Sequence, residues 1–368
     1  MKDLILKEVE AISPEMIASI KKIVQMPSVK GEPTAQAPYG TDILKTLEAT
    51  LQLCQELGFK THNLDGHIGW AQYGEGEDYV CCIGHLDVVP VGVGWKHPPF
   101  SAYEEDGYIY GRGILDNKGP ILCCLYALVA LKNLSISLKH PIRIIFGCDE
   151  ESGFADLKYY LSHEKGPISG WTPDCKYPVV YGERGRATIQ IFTTTNHLEL
   201  LFHFINRYFM NAKTNGESLG VDFTDYEFGT NEMRGYKLFQ ENGKVGFQVS
   251  FAYPAGMSVD WLVQTIKDHA EGLEVALVSH YHPVKFDKNC QMVKSLQDAY
   301  ETVTGLDGTP VTTTGGTYAK LMPNIVPFGP SFPGQKGIGH LPNEWMKIDD
   351  LIANAKIYAL ALYALGNE

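Results

Sequence analysis

The sequence predicts an α/β fold, a central mixed sheet flanked by helices, into which a smaller α+β domain is inserted. Three observations carry this. The short apolar runs at residues 79–83 (YVCCI), 141–148 (PIRIIFGC) and 177–181 (YPVVY) read as strands buried on both faces, and polar residues stand at their ends. A helical stretch at 120–132 lies between the first two. From about Arg184 to about Lys288 alternating segments (187–193 and 245–252) interleave with helical ones (197–210 and 259–271), and the acids at strand exits disappear. A chain of 368 residues is also longer than one core usually fills. The expected division is therefore 1–183 with 288–368 as one domain and 184–287 as the inserted one.

The elements follow in order. Residues 14–23 and 40–57 carry apolar side chains at helical spacing (Ile43, Leu44, Leu47, Leu51, Cys54, Leu57), and Gly58 is a stop signal. Residues 27–39 between them, rich in Pro, Gly and polar groups, read as a loop. After the inserted domain come a helix at 292–304, a tract rich in Gly and Pro at 305–341, and an apolar-periodic helix at 348–365. That last segment is expected to rejoin the first domain because it brings His340 with it.

Composition narrows the function. Lys plus Arg total 31 against 43 for Asp plus Glu, a formal charge of −12 with no basic run, which argues against nucleic acid. The longest strongly apolar stretch, 121–131, is too short to span a bilayer, and the first sixteen residues lack an export signal. Eight cysteines include the adjacent pairs Cys81-Cys82 and Cys123-Cys124 and no CxxC spacing, which suits reduced structural thiols and a cytoplasmic location.

The strand exits hold the chemistry: His85 and Asp87, Asp116, Glu150 and Glu151, Asp174, and His340 from the C-terminal segment. Taken singly, a His-x-Asp reads as surface chemistry, Glu150-Glu151 as an acidic turn and Asp116 as a turn residue. Taken together they stand where ligands gather in α/β sheets, beyond the carboxyl ends of the strands. Carboxylates that converge within about 4 to 6 Å do not all ionise unless cations neutralise them. Convergence therefore implies metal, and oxygen plus imidazole donors without thiolate suit zinc first, then manganese or cobalt. The period of two in His85-x-Asp87 puts both side chains on one face, so Asp87 is expected to support the imidazole.

These residues fall in motifs that resemble the M20 family of dinuclear zinc peptidases, and most closely its bacterial PepV-like dipeptidase branch (Xaa-His or β-Ala-Xaa type). The motifs are 84–90 (GHLDVVP), 95–100 (WKHPPF), 111–119 (GRGILDNKG), 149–153 (DEESG), 172–174 (TPD), 315–319 (GGTYA) and 339–344 (GHLPNE). The resemblance implies a zinc-peptidase-like catalytic domain with an inserted lid at 184–287. It implies that His85 and Asp174 hold one zinc ion, Glu151 and His340 the other, and that Asp116 bridges them. Asp87 then orients His85, and Glu150 is the general base that activates water and protonates the leaving amine. The implied activity is hydrolysis of dipeptides or similar small peptides. The alternatives are deacylation of N-acyl amino acids and a catalytically impaired metal-binding homologue. The partners implied are a small peptide or N-acyl amino acid substrate, with no nucleic acid or membrane, and a homodimer through the lid is left open.

The lid departs from the family pattern. Members usually carry, between the first lid strand and helix, a glycine, a histidine that stabilises the oxyanion, and a short loop ending in Asn-Ala. Here 190–197 (QIFTTTNH) runs directly into the helix, so that loop reads as deleted. His197 lies near the vacated position and reads as a capping or surface residue. The family's Arg-Tyr-Pro, whose arginine contacts the substrate carboxylate, is Ala252-Tyr253-Pro254, and Lys320 stands where the branch has arginine. One oxyanion donor is worth about 3 to 4 kcal/mol. The metal half of the pattern is intact and the substrate half is eroded.

Overall fold

The computed structural model describes residues 1–194 and 197–368. The chain divides into two compact units. Unit 1 comprises Met1–Val180, Asp287–Pro310 and Thr317–Glu368, and unit 2 comprises Tyr181–Phe286 and Val311–Gly316.

Unit 1 is built on a six-stranded mixed sheet in the order Lys60–Leu64, Ile68–Tyr73, Ile142–Gly147, Val80–His85, Ser169–Thr172, Ile325–Pro327. The last four strands are parallel to one another, and the first two are antiparallel additions. Parallel strands leave their carboxyl ends on one edge. His85 is the last residue of Val80–His85, the Asp149-Glu150-Glu151 run follows Ile142–Gly147, and Asp174 follows Ser169–Thr172.

The third central strand is thus Ser169–Thr172, not the apolar run expected at 177–181. Pro178 has no N–H to give a ladder. Only Val180–Glu183 of that neighbourhood forms a longer strand, which pairs with Val284–Lys285 and Val311–Thr313 in a separate three-stranded sheet. Ile325–Pro327, inside the Gly and Pro-rich tract, supplies the outermost parallel strand.

The helix Lys118–Asn133 is buried from Lys118 to Leu131 because it is covered on all sides. It packs on the sheet and against Lys2–Val24 and Ile348–Leu365, and Gln291–Thr304 packs on the last of these. Its close approach requires glycine at position 84, where a Cβ would lie 2.2 Å from Asn117 Oδ1 and 2.9 Å from Ile121 Cβ. The N-terminal helix begins at Lys2 and runs through Pro14, twelve residues earlier than the periodicity suggests.

Unit 2 has a four-stranded antiparallel sheet in the order Glu232–Glu241, Lys244–Tyr253, Gly185–Thr194, Glu274–Tyr281. With the helices Leu198–Tyr208 and Val259–His269 the chain order is β-α-β-β-α-β, a ferredoxin-like arrangement. Alternation along the strands sends Ala187, Ile189, Ile191, Phe247, Val249 and Phe251 inward, where they pack with Leu201, Phe204, Leu262 and Ile266 of the helices. The segment Val311–Gly316, assigned from sequence to the larger domain, clusters with this unit because Val311–Thr313 is a strand of the three-stranded sheet.

Candidate metal centre

Two clusters of ligand-type atoms form at the carboxyl edge of the unit 1 sheet. His85, Asp116 and Asp174 make one, Asp116, Glu151 and His340 the other, and within each the donor atoms lie within 4.8 Å of one another. Asp116 belongs to both. Its Oδ1 is 3.0 Å from His85 Nε2, and its Oδ2 is 2.9 Å from His340 Nε2. Asp174 Oδ2 lies 3.7 Å from His85 Nε2, and Glu151 Oε1 lies 3.0 Å from His340 Nε2. Residues up to 255 positions apart in the chain thus meet at one spot.

The imidazole of His85 is fully buried and held from behind. Its Nδ1 donates to the backbone carbonyl of Asp87 at 2.9 Å and lies 3.4 Å from the Asp87 carboxylate, which fixes the tautomer and leaves Nε2 to face the cluster. The Asp87 carboxylate does more than the His-x-Asp spacing suggests. It accepts the backbone N–H of Glu150 at 3.2 Å and of Glu151 at 3.1 Å, tying the acidic turn to the neighbouring strand exit.

The same turn is braced from two more sides. Asp156, buried, accepts N–H groups from Cys148 at 2.6 Å and Asp149 at 3.0 Å, and the Tyr318 hydroxyl donates to it. Asp149 accepts from Ala155 N and pairs with Lys30 at 2.5 Å. Asn117 links the remaining exits, donating to Pro173 O at 2.6 Å and accepting from His85 N at 3.3 Å. Sequence reasoning missed Lys30, Asn117, Asp156 and Tyr318 as parts of the centre. Asn117 and Tyr318 lie within the quoted motifs at 111–119 and 315–319 and Asp156 follows the one at 149–153, whereas nothing in the sequence marks Lys30.

Electrostatics report a charge imbalance. Burial pushes Glu150 well above the usual carboxylate range, and the charges of Asp174 and Glu151 add to it. Asp174 is raised well above as well, by burial first and then by Asp116. Burial also works to raise Asp116, but hydrogen bonds from His340 and His85 outweigh it and hold its carboxyl low. His340 is pushed up to about 10, first by its hydrogen bonds with Asp116 and Glu151. Desolvation opposes the charge on His85, yet Asp116 and Asp87 carry its pKa well above the ordinary value. Protons thus do for these carboxylates what cations would do, and a mixed oxygen and imidazole donor set sharing one carboxylate fits two divalent ions.

The substrate-side residues are distributed differently. His197 begins the helix Leu198–Tyr208 with more than half its side chain exposed, 4.0 Å from Glu199. Thr195 and Asn196, within the connection read as shortened, lie outside the described residues. Ala252 is buried at the end of Lys244–Tyr253 and faces Arg186 across the ladder. Lys320 closes the short 3-10 turn Tyr318–Lys320.

Comparison with known proteins agrees with this geometry. The profile of peptidase family M20/M25/M40 matches residues 81–364. A Beta-Ala-Xaa dipeptidase of Lactobacillus delbrueckii subsp. lactis is 26% identical, with 100% of this chain and 99% of that protein covered. That alignment is 466 positions long against 368 residues here, so a substantial part of the relative has no counterpart. Human carnosine dipeptidase 1 shares the fold with a TM-score of 0.79 at 17% identity, over 99% of this chain and 98% of that one. The Bacillus subtilis YXEP protein, described as a dinuclear metal binding peptidase, superposes with a TM-score of 0.65 at 12% identity, over 97% and 99% of the two chains.

Proposed function

Because the chain belongs to peptidase family M20/M25/M40 and is a metal-dependent peptidase, we propose that it is a dinuclear zinc dipeptidase whose general base is Glu150. The observation that carries this reading is the sharing of Asp116 between two three-residue clusters. His85 and Asp174 would hold one ion, Glu151 and His340 the other, with Asp116 between them. Two divalent ions so held supply Lewis acidity, lowering the pKa of water and polarising a carbonyl oxygen.

The chain's own residues do the rest. Glu150 is tied by its backbone to Asp87; with two divalent ions neutralising the neighbouring carboxylates it would be ionised, the form that takes a proton from the attacking water. The same carboxyl then returns that proton to the leaving amine as the C–N bond breaks. His85 and Asp87 keep one cluster in register while this happens. Full-length similarity to a Beta-Ala-Xaa dipeptidase supports a small peptide as substrate. Eight cysteines, none of them in a disulfide and six of them buried, support a reducing, cytoplasmic setting.

The test is metal analysis of the full chain together with a panel of α- and β-alanyl dipeptides and N-acetyl amino acids. Two ions per chain and EDTA-sensitive release of free amino acids from the dipeptides are expected. Glu150→Gln should keep both ions while kcat falls by roughly 10²- to 10⁴-fold. A wild-type chain that binds no metal, or a variant with undiminished turnover, contradicts the reading.

A further inference from the structure

Glu344 is a heavily hydrogen-bonded carboxylate beside the metal centre, accepting four bonds through its side chain, and none of them comes from a donor atom of the clusters. It is fully buried. Its Oε1 accepts three backbone N–H groups, from Gly113 at 3.1 Å, Leu115 at 2.9 Å and Asp116 at 3.0 Å. Its Oε2 accepts from Arg112 Nη1 at 2.7 Å, and its own carbonyl accepts from Gly111 N at 2.9 Å. Four contacts thus wrap the loop that ends in Asp116 around one side chain 228 residues further along the sequence, and a fifth ties the loop to that residue's backbone.

Glu344 also belongs to the loop that carries His340. Arg112, itself buried, reaches back to the Leu341 carbonyl at 3.3 Å and lies over the Trp95 ring at 5.2 Å. Asn343 accepts from Lys96 N at 2.7 Å and donates to Gly94 O at 3.2 Å. The loop needs such bracing. His340 and Asn343 both sit at left-handed backbone angles, φ 64° and 61°, which side chains other than glycine adopt only when their surroundings hold them there.

We propose that Glu344, with Arg112, is a positioning residue that couples the two clusters: it sets the backbone of Asp116 so that one carboxylate oxygen serves each cluster, and fixes that loop to the one bearing His340. The assignment rests on the dinuclear reading given above. The two clusters depend on it unequally. His85 ends one central strand and Asp174 comes two residues after another, so both keep their places through the sheet. His340 has more than half its side chain exposed on a loop, and its alignment with Asp116 passes through Glu344. Loss of Glu344 therefore weakens the second cluster far more than the first.

The experiment titrates the metal-stripped full chain with Zn²⁺ alone against a chromophoric chelator, for the wild type, Glu344→Gln and Arg112→Lys. For Glu344→Gln the weaker Zn²⁺ site should lose about 10- to 100-fold in affinity, while the tighter changes by less than about threefold. Arg112→Lys should weaken the same site by a smaller factor. Equal losses at both sites, or no loss, overturn the proposal. A second measurement needs no variant: hydrogen exchange of the 111–117 segment in the metal-free wild type. Protection of the Gly113, Leu115 and Asp116 amides before any metal is added is expected, because Glu344 holds them. If protection arises only on adding Zn²⁺, the ions and not Glu344 organise the loop, and the proposal is overturned. A wild-type chain that binds fewer than two ions sinks the dinuclear reading instead, a distinguishable result.

Discussion

At the scale of single residues, the centre is held less by its ligand candidates than by the carboxylates behind them. Asp156 shows the physical logic. It is fully buried, and that burial, helped by the charge of Asp87, raises its pKa to about 6 against the lowering effect of its hydrogen bonds. An acid whose pKa is higher folded than unfolded binds more protons in the native state, here between about 4 and 6. Its contribution to stability is therefore complete below about pH 4 and is lost as the pH rises through 6. At about 1.4 kcal/mol per unit, a two-unit shift amounts to about 3 kcal/mol. In the metal-free chain, urea midpoints measured from pH 4 to 7.5 should give a wild-type stability that falls with pH relative to Asp156→Asn. Parallel curves would show that this carboxyl does not titrate as its burial demands.

At the scale of elements, the acidic turn is positioned by what its strand permits. Gly147 ends the strand Ile142–Gly147, and a Cβ there would lie 1.9 Å from the Tyr318 hydroxyl oxygen and 2.7 Å from Asp156 Oδ2. Only glycine lets Tyr318 reach Asp156 beneath the turn. Gly147→Ala should cost about 1 to 3 kcal/mol through overpacking, and should lower kcat because Glu150 and Glu151 begin three residues later. A shift in the urea midpoint without a change in turnover would separate packing from positioning.

The same elements explain what the sequence made legible. Val80–His85 and Ile142–Gly147 announce themselves by apolar runs, interrupted in the second by Arg143 alone, because both faces are largely covered, and His85, Glu150 and Glu151 are found at their ends. Ser169–Thr172 carries serine, glycine and threonine in four positions, so its place in the sheet comes from ladder bonds to Val80–His85 and Ile325–Pro327 and not from its own composition. Asp174 was nonetheless found, since it is the last residue of the motif at 172–174. The partnership of Asp156 with Tyr318, which lies in the motif at 315–319, was invisible because it spans 162 positions and involves residue types that are ordinary anywhere.

At the scale of the whole molecule, the ligand candidates come from segments beginning at residue 85 and ending at 340, and an unfolded chain does not bring them together. Ions that bind only the folded state stabilise it by RT ln(1 + [ion]/Kd) per site. The metal-free protein also carries carboxylates, Glu150 and Asp174, that burial first and then their neighbours' charges raise, and relief of that unfavourable state is part of each ion's affinity. EDTA should lower the melting temperature, and added Zn²⁺ should restore it. The dependence on free Zn²⁺ is more informative than the shift. Above both dissociation constants, two ions give about 2.7 kcal/mol of added stability per tenfold increase in free metal, and one ion gives about 1.4. Urea unfolding in metal-buffered solutions reads that slope directly. A slope corresponding to one ion would leave Asp116 a ligand of a single site, and a zero slope would mean that the clusters at the sheet edge hold no metal.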